Sequence, residues 1–302
     1  MKKRIIKDFK RYKGIYLVAI PVILYYIIFK YIPMGGVLMA FENYRPKLGV
    51  FGSEWVGLKH FKSFFSSYYF TRVLKNTLTI SINTLVWGFP APIVLALLIN
   101  EIRNEKFKKL VQTISYLPHF ISLVILCAMV KEFVSTNGFI TSICADLFGI
   151  PQISLLTNKN FYVPIHVASG IWASVGFGTI IYLAALSGVN PELYDAASID
   201  GAGKWKQTLH VTIPGIAPTI ILKLIMQVGA IMSVGYGKII LLYNEGIYET
   251  ADVISTFVYR RGLVEGDYSF SAAVGLFNSV INLILIFIAN KISSKVSETS
   301  LW

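Results

Sequence analysis

Few residues in this chain are spaced so that they could do covalent chemistry. There is no G-x-x-x-x-G-K-[ST] loop to cradle nucleotide phosphates. His60, His119, His166 and His210 are scattered, with no H-E-x-x-H or similar pair, and Cys127 and Cys144 form neither a disulfide framework nor a metal spacing. Cys127 lies in an apolar run and reads as a small packing residue. No paired carboxylates and no Ser/His/Asp set stand out. What remains is recognition chemistry. Polar and aromatic side chains punctuate the apolar runs: Asn76, Asn83 and Trp87; Trp172 and Tyr182; Gln227, Ser233 and Tyr236 at roughly helical spacing; and Asn278 with Asn282, four residues apart. Helix–helix hydrogen bonding is the competing reading for each of them. Together, aromatic faces and amides suit neutral hydroxylated molecules, which bind by stacking and paired hydrogen bonds. That points to a carbohydrate and away from a strongly ionic solute.

A second stretch has a different character. Asn190–Pro214, NPELYDAASIDGAGKWKQTLHVTIP, is polar-rich among apolar runs. Asn190 can cap a helix, Pro191 suits its first position, and Glu192 complements its positive end. Leu193, Ala196, Ala197 and Asp200 fall on helical spacing. Gly201-Ala202-Gly203 breaks the helix and leaves a surface almost without side chains. A second short helix is expected from Lys204 to about Thr212, with Trp205 and Leu209 on one side and Pro214 as its stop. Two short helices with a small-residue elbow form a plug for a partner's socket.

The elements that must position these residues are membrane spans. The chain has 302 residues, 55% of them hydrophobic, and a mean hydropathy of +0.61. That excludes an ordinary soluble domain and indicates an all-α polytopic membrane protein. A span needs ~20 apolar residues. Six are expected, at 14–41, 73–100, 110–134, 161–186, 217–242 and 270–289. Pro90, Pro92 and Pro118 are tolerated if neighbours satisfy the backbone, and are expected to bend their helices. The segment 1–13 carries seven Lys/Arg and one Asp; it reads as an interfacial helix or a disordered basic tail. The apolar run after it is too long for a signal-peptide core and reads as a retained span.

In a soluble protein the net charge of +12 would suggest nucleic acid. Here it reads as orientation charge that also touches anionic lipid, with no nucleic acid partner. Dense Lys/Arg at the N-terminus, at Arg103–Lys109, at Lys204 and Lys206, and at Lys291 and Lys295 places both termini and the 190–214 stretch in the cytoplasm. The outside loops are then 42–72, 135–160 and 243–269, each able to add a short helix. Arg260, Arg261, Glu265 and Asp267 in the last one either meet an external protein or form a solvated charged surface. Lys30, Lys131, Glu132 and Lys223 lie near span ends, where snorkelling explains them. Charge near the bilayer centre is essentially absent, which argues against a proton- or sodium-coupled carrier. Energy is therefore expected to enter through the cytoplasmic stretch.

That stretch resembles the signature of ABC-type importer permeases: Glu-Ala-Ala, three residues, Gly, nine residues, Ile-x-Leu-Pro. Here it reads Asp195-Ala196-Ala197, then Gly201, then Val211-Thr212-Ile213-Pro214. The departures are Asp for Glu, Val for Ile and Ile for Leu, and Asp195 reaches one methylene less. Asn76-Thr77-Leu78, Gly88-Phe89-Pro90-Ala91-Pro92, Tyr116-Leu117-Pro118-His119-Phe120 and Tyr259-Arg260-Arg261-Gly262 are similar to the bacterial carbohydrate branch, in its complex-oligosaccharide subgroup. The resemblance covers about residues 70–290. It implies a type I importer fold: a permease domain over 14–302 after the basic segment 1–13, with 190–214 as the coupling loop.

It further implies that Asp195, Ala196, Ala197, Asp200, Gly201, Ala202, Gly203 and Pro214 serve the contact with a separate cytoplasmic ATPase dimer. That dimer would bind ATP and magnesium, and this chain would carry no cofactor, metal or catalytic residue. A second homologous permease and an extracellular lipid-anchored solute-binding protein complete the implied assembly in the cytoplasmic membrane. The competing readings are a membrane-embedded glycan or lipid transferase, for which no site is found, and a secondary sugar transporter, which the lack of intramembrane charge disfavours.

Overall fold

The computed structural model describes residues 11–149, 151–296 and 300–301. Most of the basic segment expected at 1–13 lies outside the described residues. In chain order, the elements used below are α1 (Lys13–Phe41), β1 (Glu42–Asn43), β2 (Glu54–Trp55), α2 (Lys59–Phe65), α3 (Tyr68–Asn100), α4 (Glu105–Phe120) and α5 (Leu123–Phe133). They continue with α6 (Phe139–Phe148), α7 (Lys159–Leu186), α8 (Pro191–Ile199), α9 (Lys204–Gly229), α10 (Tyr236–Leu242), α11 (Tyr248–Ala251), α12 (Ile254–Tyr259) and α13 (Tyr268–Val296). Among the described residues, α1, α3, α7, α9 and α13 are long and apolar enough to cross a membrane, and α4 with α5 makes a sixth candidate.

The helix starts follow local chemistry. Ser67, Asn104, Ser122, Asn158 and Asn190 each accept a backbone N–H from the first turn of the helix they open, satisfying donors that have no partner inside the helix. The prolines act less simply. α3 runs through Pro90 and α9 through Pro214, and in each a π-helical turn, Thr84–Gly88 or Thr208–Thr212, comes just before the proline. The wider turn gives room for the ring and for the missing hydrogen bond.

Three expectations therefore change. Pro214 does not stop the helix that begins at Lys204; the helix continues to Gly229. The third span is not one rod over 110–134: α4 and α5 meet at 101°, because Pro118 sits in a 3-10 turn, Ile121 is extended and Ser122 caps a fresh helix. The fifth span does not reach Leu242. α9 ends at Gly229, where a Cβ would lie 2.8 Å from Ile286 Cβ, so no side chain fits there without displacing Ile286. A non-helical break follows before α10.

The chain divides into two compact units. One comprises the chain up to Phe65 with Arg261–Leu276. In it β1 pairs antiparallel with β2, Glu42 opposite Trp55, and the Phe41 ring stacks on Trp55. His60 Nε2 lies 3.0 Å from the Glu42 carbonyl, and the Tyr44 N–H donates to Ser269 Oγ at 2.8 Å. Arg261 is bound by Glu265 and Asp267, so this loop charge is paired internally.

The other unit comprises Ser66–Arg260 with the chain from Phe277 onward. Its larger core gathers Ile80 of α3, Leu126, Cys127 and Val130 of α5, Tyr162 of α7, Ile239 and Leu242 of α10, and Ile247 and Ala251 beyond them. A smaller cluster joins Ala96, Tyr182, Leu186 and Ile216. Near α11, the fully buried Asp252 carboxylate accepts from Arg260 at 2.8 Å and Arg72 at 3.4 Å. Asn76 Nδ2 donates to the Glu249 and Asp252 carbonyls, both at 2.9 Å. Asn76 therefore holds a loop in place.

Candidate functional site

Two features of this second unit are candidate functional sites, and the first is the elbow. Asn190 Oδ1 accepts the Glu192 N–H at 3.0 Å and opens α8. At its far end the Gly201 N–H donates to Ser198 O at 3.1 Å and the Ala202 N–H to Ala197 O at 2.8 Å. This closure needs a left-handed residue, and Gly201 supplies φ +75°. Gln207 is buried. Its Nε2 donates to Ser198 Oγ at 2.9 Å and to Ala202 O at 3.0 Å, and Tyr194 OH donates to Thr212 Oγ1 at 3.0 Å. These bonds fix the angle between α8 and the start of α9.

The outer face of the elbow is open. A Cβ on Gly201 or Gly203 would meet no atom within 4 Å. Ile199 is 88% exposed and Trp205 78%. Asp195, Ala196 and Asp200 are exposed, and Ala197 and Ala202 are half-buried. Asp195 forms no ion pair among the described residues, whereas Lys204 pairs with Glu101 at 3.4 Å. The structure thus brings together Asp195, Ala196, Ala197, Asp200, Gly201, Ala202 and Gly203 on two short helical arms, while Pro214 lies inside α9. Sequence reasoning missed Gln207, because a single amide between Lys206 and Thr208 carries no local signal of burial.

The second feature is a cavity of about 790 Å³ lined from α3, α4, α7, α9 and α10. Its polar lining includes Thr84, His119, His166, Ser174, Tyr182, Lys223, Gln227 and Lys238. A neighbouring cavity of about 400 Å³ shares Thr84, His166, Lys223 and Gln227 and adds Ser81 and Ser233. Close helix approach builds the wall: a Cβ on Gly176 would lie 2.0 Å from Ser115 O. The same contact sets the His119 ring flat on Phe177, with centroids 3.9 Å apart. Lys238 Nζ donates to the His166 carbonyl at 2.6 Å.

Of the polar residues expected to line a path, Gln227, Ser233 and Tyr182 reach these cavities. The others do not line them. Asn83 Nδ2 donates to Thr79 O on its own helix at 2.8 Å. Trp87 and Trp172 are exposed. Tyr236 stacks on Tyr259 at 5.2 Å. Asn282 secures the break after α9, accepting from the Met232 N–H at 3.0 Å and donating to Ser233 Oγ at 2.8 Å. Asn278 Oδ1 is buried without a hydrogen-bond partner among the described residues. Gln227, Ser233 and Tyr236 do not share one helix, because the break at 230–235 separates them.

Two lysines line the larger cavity. Lys223 faces it instead of simply snorkelling outward, and Lys238, hidden in the apolar text of the expected fifth span, is turned inward by the same break. The two glycines before it, Gly235 and Gly237, were the available signal.

Comparison with known proteins agrees with this geometry. Residues 88–298 match the family described as binding-protein-dependent transport system inner membrane component. The polygalacturonan/rhamnogalacturonan transport system permease protein YteP of Bacillus subtilis (strain 168) is 40% identical over 301 residues, covering 100% of this chain and 94% of YteP. Protein LplB of the same organism is 44% identical over 294 residues, covering 97% and 92%. A chain in the crystal structure of a bacterial alginate ABC transporter, in complex with an alginate pentasaccharide-bound periplasmic protein, superposes with a TM-score of 0.89 at 42% identity, covering 98% of this chain and 99% of that one. With that backbone, the apolar spans and the exposed elbow, the chain belongs to the binding-protein-dependent transport system inner membrane component family and has the fold of a type I ABC importer permease.

Proposed function

We propose that this chain is a pore-forming permease subunit of an ATP-driven oligosaccharide importer. It receives solute from an external, lipid-anchored binding protein and passes it across the bacterial cytoplasmic membrane. A second, homologous permease completes the pore, and both termini face the cytoplasm. ATP and magnesium bind to a separate ATPase dimer, and this chain performs no hydrolysis itself. The relatives named for polygalacturonan and for alginate support an oligosaccharide as the cargo.

The observation that carries this reading is the elbow: a rigid two-helix turn whose apolar residues Ile199 and Trp205 are left exposed. Its small residues let another backbone approach closely, and Asp195 is free to meet a basic group on the ATPase. Closure of the ATPase dimer then moves the elbow as a rigid body and turns the pore outward; hydrolysis resets it. Gly201→Asp tests this. The substitution forces a side chain into a left-handed position and into the open face. Uptake by the assembled transporter is expected to be lost while the protein still inserts in the membrane. Wild-type uptake in that variant sinks the coupling role. The wild-type chain is also expected to co-purify with an ATPase, and transport by the chain without one would refute the assignment.

A further inference from the structure

We propose that the cavity lined by Lys223 and Lys238 recognises carboxylates, so that the cargo is an acidic oligosaccharide bearing uronic acid groups. This rests on the importer reading and adds to it the charge of the solute and the residues that select it.

The first observation is the charge inventory. The larger cavity presents Lys223 and Lys238 with His119 and His166, and its lining contains no Asp or Glu. The adjoining cavity repeats Lys223 and His166, again with no carboxylate. Four other cations of this unit have carboxylate partners. Arg72 and Arg260 hold Asp252, Lys159 holds Glu249, and Lys204 holds Glu101. Neither cavity lysine forms an ion pair among the described residues.

The second observation is how Lys238 is held. One N–H of its ammonium is bound by the His166 carbonyl at 2.6 Å. A carbonyl fixes direction but neutralises no charge, and an ammonium has two further donors. Gly170 lies alongside; a Cβ there would stand 3.2 Å from Nζ, tight enough to crowd the ammonium. The missing side chain leaves those donors accessible from the cavity, which Gly170 also lines. A half-buried cation without a counter-ion is costly, and an anionic ligand removes that cost.

The third observation concerns the rest of the wall. The His119–Phe177 stack offers a flat ring face, and Gln227, Ser174 and Thr84 offer amide and hydroxyl groups. Such a surface suits sugar rings, and the volume falls in the ~300–1,000 Å³ range of small-molecule sites. A neutral sugar would leave both ammonium groups unmatched, whereas a uronate places a carboxylate against them while its ring and hydroxyls meet the remaining wall. Charge-assisted bonds of this kind change affinity about tenfold or more each.

The test uses the complete transporter with its binding protein, reconstituted in vesicles. The probes are tetrasaccharides of galacturonate, glucuronate, mannuronate and guluronate, each as the free acid and as the methyl ester, which keeps the sugar and removes the charge. With wild-type chain, at least one free acid is expected to drive uptake at a concentration about tenfold below its ester. Lys223→Gln with Lys238→Gln is expected to shrink that acid-to-ester ratio about tenfold or more, and Lys238→Arg to keep most of it. The binding protein is the same throughout, so its own preference cancels in the comparison of ratios. An unchanged ratio in the double Gln variant overturns the proposal. So does a wild-type transporter driven by esters or neutral oligosaccharides and by no free acid, an outcome that leaves the importer reading standing. A transporter that takes up no oligosaccharide of either kind overturns the importer reading and this proposal together.

Discussion

In the elbow, the side-chain hydrogen bond from Tyr194 to Thr212 joins residues 18 apart in sequence, and the exposed Lys204–Glu101 ion pair ties it to the loop before α4. In the cavity, the bond that fixes Lys238 joins it to His166 across 72 positions. The elbow is thus a local object. Its cap, its left-handed glycine and its amide clamp lie in one stretch, and the face it shows outward is small or apolar. The cavity is an assembled object, built from helices that contribute one to three polar residues each. The difference separates two kinds of failure. A change in the elbow should disable transport without unfolding the unit, and a change in the long-range supports should unfold the unit before it alters any property of the elbow.

The largest expected effect is the loss of uptake in Gly201→Asp, with a melting temperature close to wild type. A Cβ there would meet no atom within 4 Å, and its left-handed backbone costs a non-glycine residue about 1–2 kcal/mol. Gly201→Asn, whose side chain tolerates that backbone better, should retain more uptake. A large fall in melting temperature for either variant would break the comparison.

Next comes Asp252→Ala, which leaves Arg72 and Arg260 facing each other beside a buried gap. A loss of about 3–5 kcal/mol in stability is expected from removing one partner of a buried ion pair, read as a lowered thermal midpoint in detergent. Uptake should fall only in proportion to folded protein.

A smaller loss, about 1–3 kcal/mol, is expected for Asn282→Ala, which strands the Met232 N–H and releases the break after α9. Because that break turns Lys238 inward, this variant should also weaken solute dependence while sparing co-purification with the ATPase. Equal losses of both would argue that the two regions are not separable.

The smallest effect is at Glu249. The hydrogen bond from the Lys159 ammonium, at 2.9 Å, holds its carboxyl below the usual range. Its folded value is depressed, so any stabilisation is present at neutral pH and disappears as pH falls through that value. The pair is exposed, and Glu249→Gln should shift the thermal midpoint barely at pH 7 and not at all in acid.

Much of this was legible in the sequence. The capping residue Asn190 marked a helix start, because a side-chain acceptor and the N–H it satisfies lie two residues apart. Apolar runs marked most spans, and the Asp195-Ala196-Ala197 … Gly201 spacing marked the elbow. The prolines misled, since Pro214 reads as a stop until the π turn before it is seen.

What the sequence determined by itself is what short range can encode: a mostly helical membrane chain, the Asn190 cap, and an elbow whose shape depends on the φ that glycine allows at 201. What only the tertiary structure decided is which way buried polar residues point. Asn76 and Asn282 read as path candidates and Gln207 drew no reading at all, yet each bonds backbone groups beside a loop or helix break. Lys238 read as part of an apolar run, yet the turn after Gly229 and the absence of a side chain at Gly170 bring its charge to the cavity. A backbone break creates unpaired groups at a place fixed by the packing of distant helices, and no local pattern states where that place is.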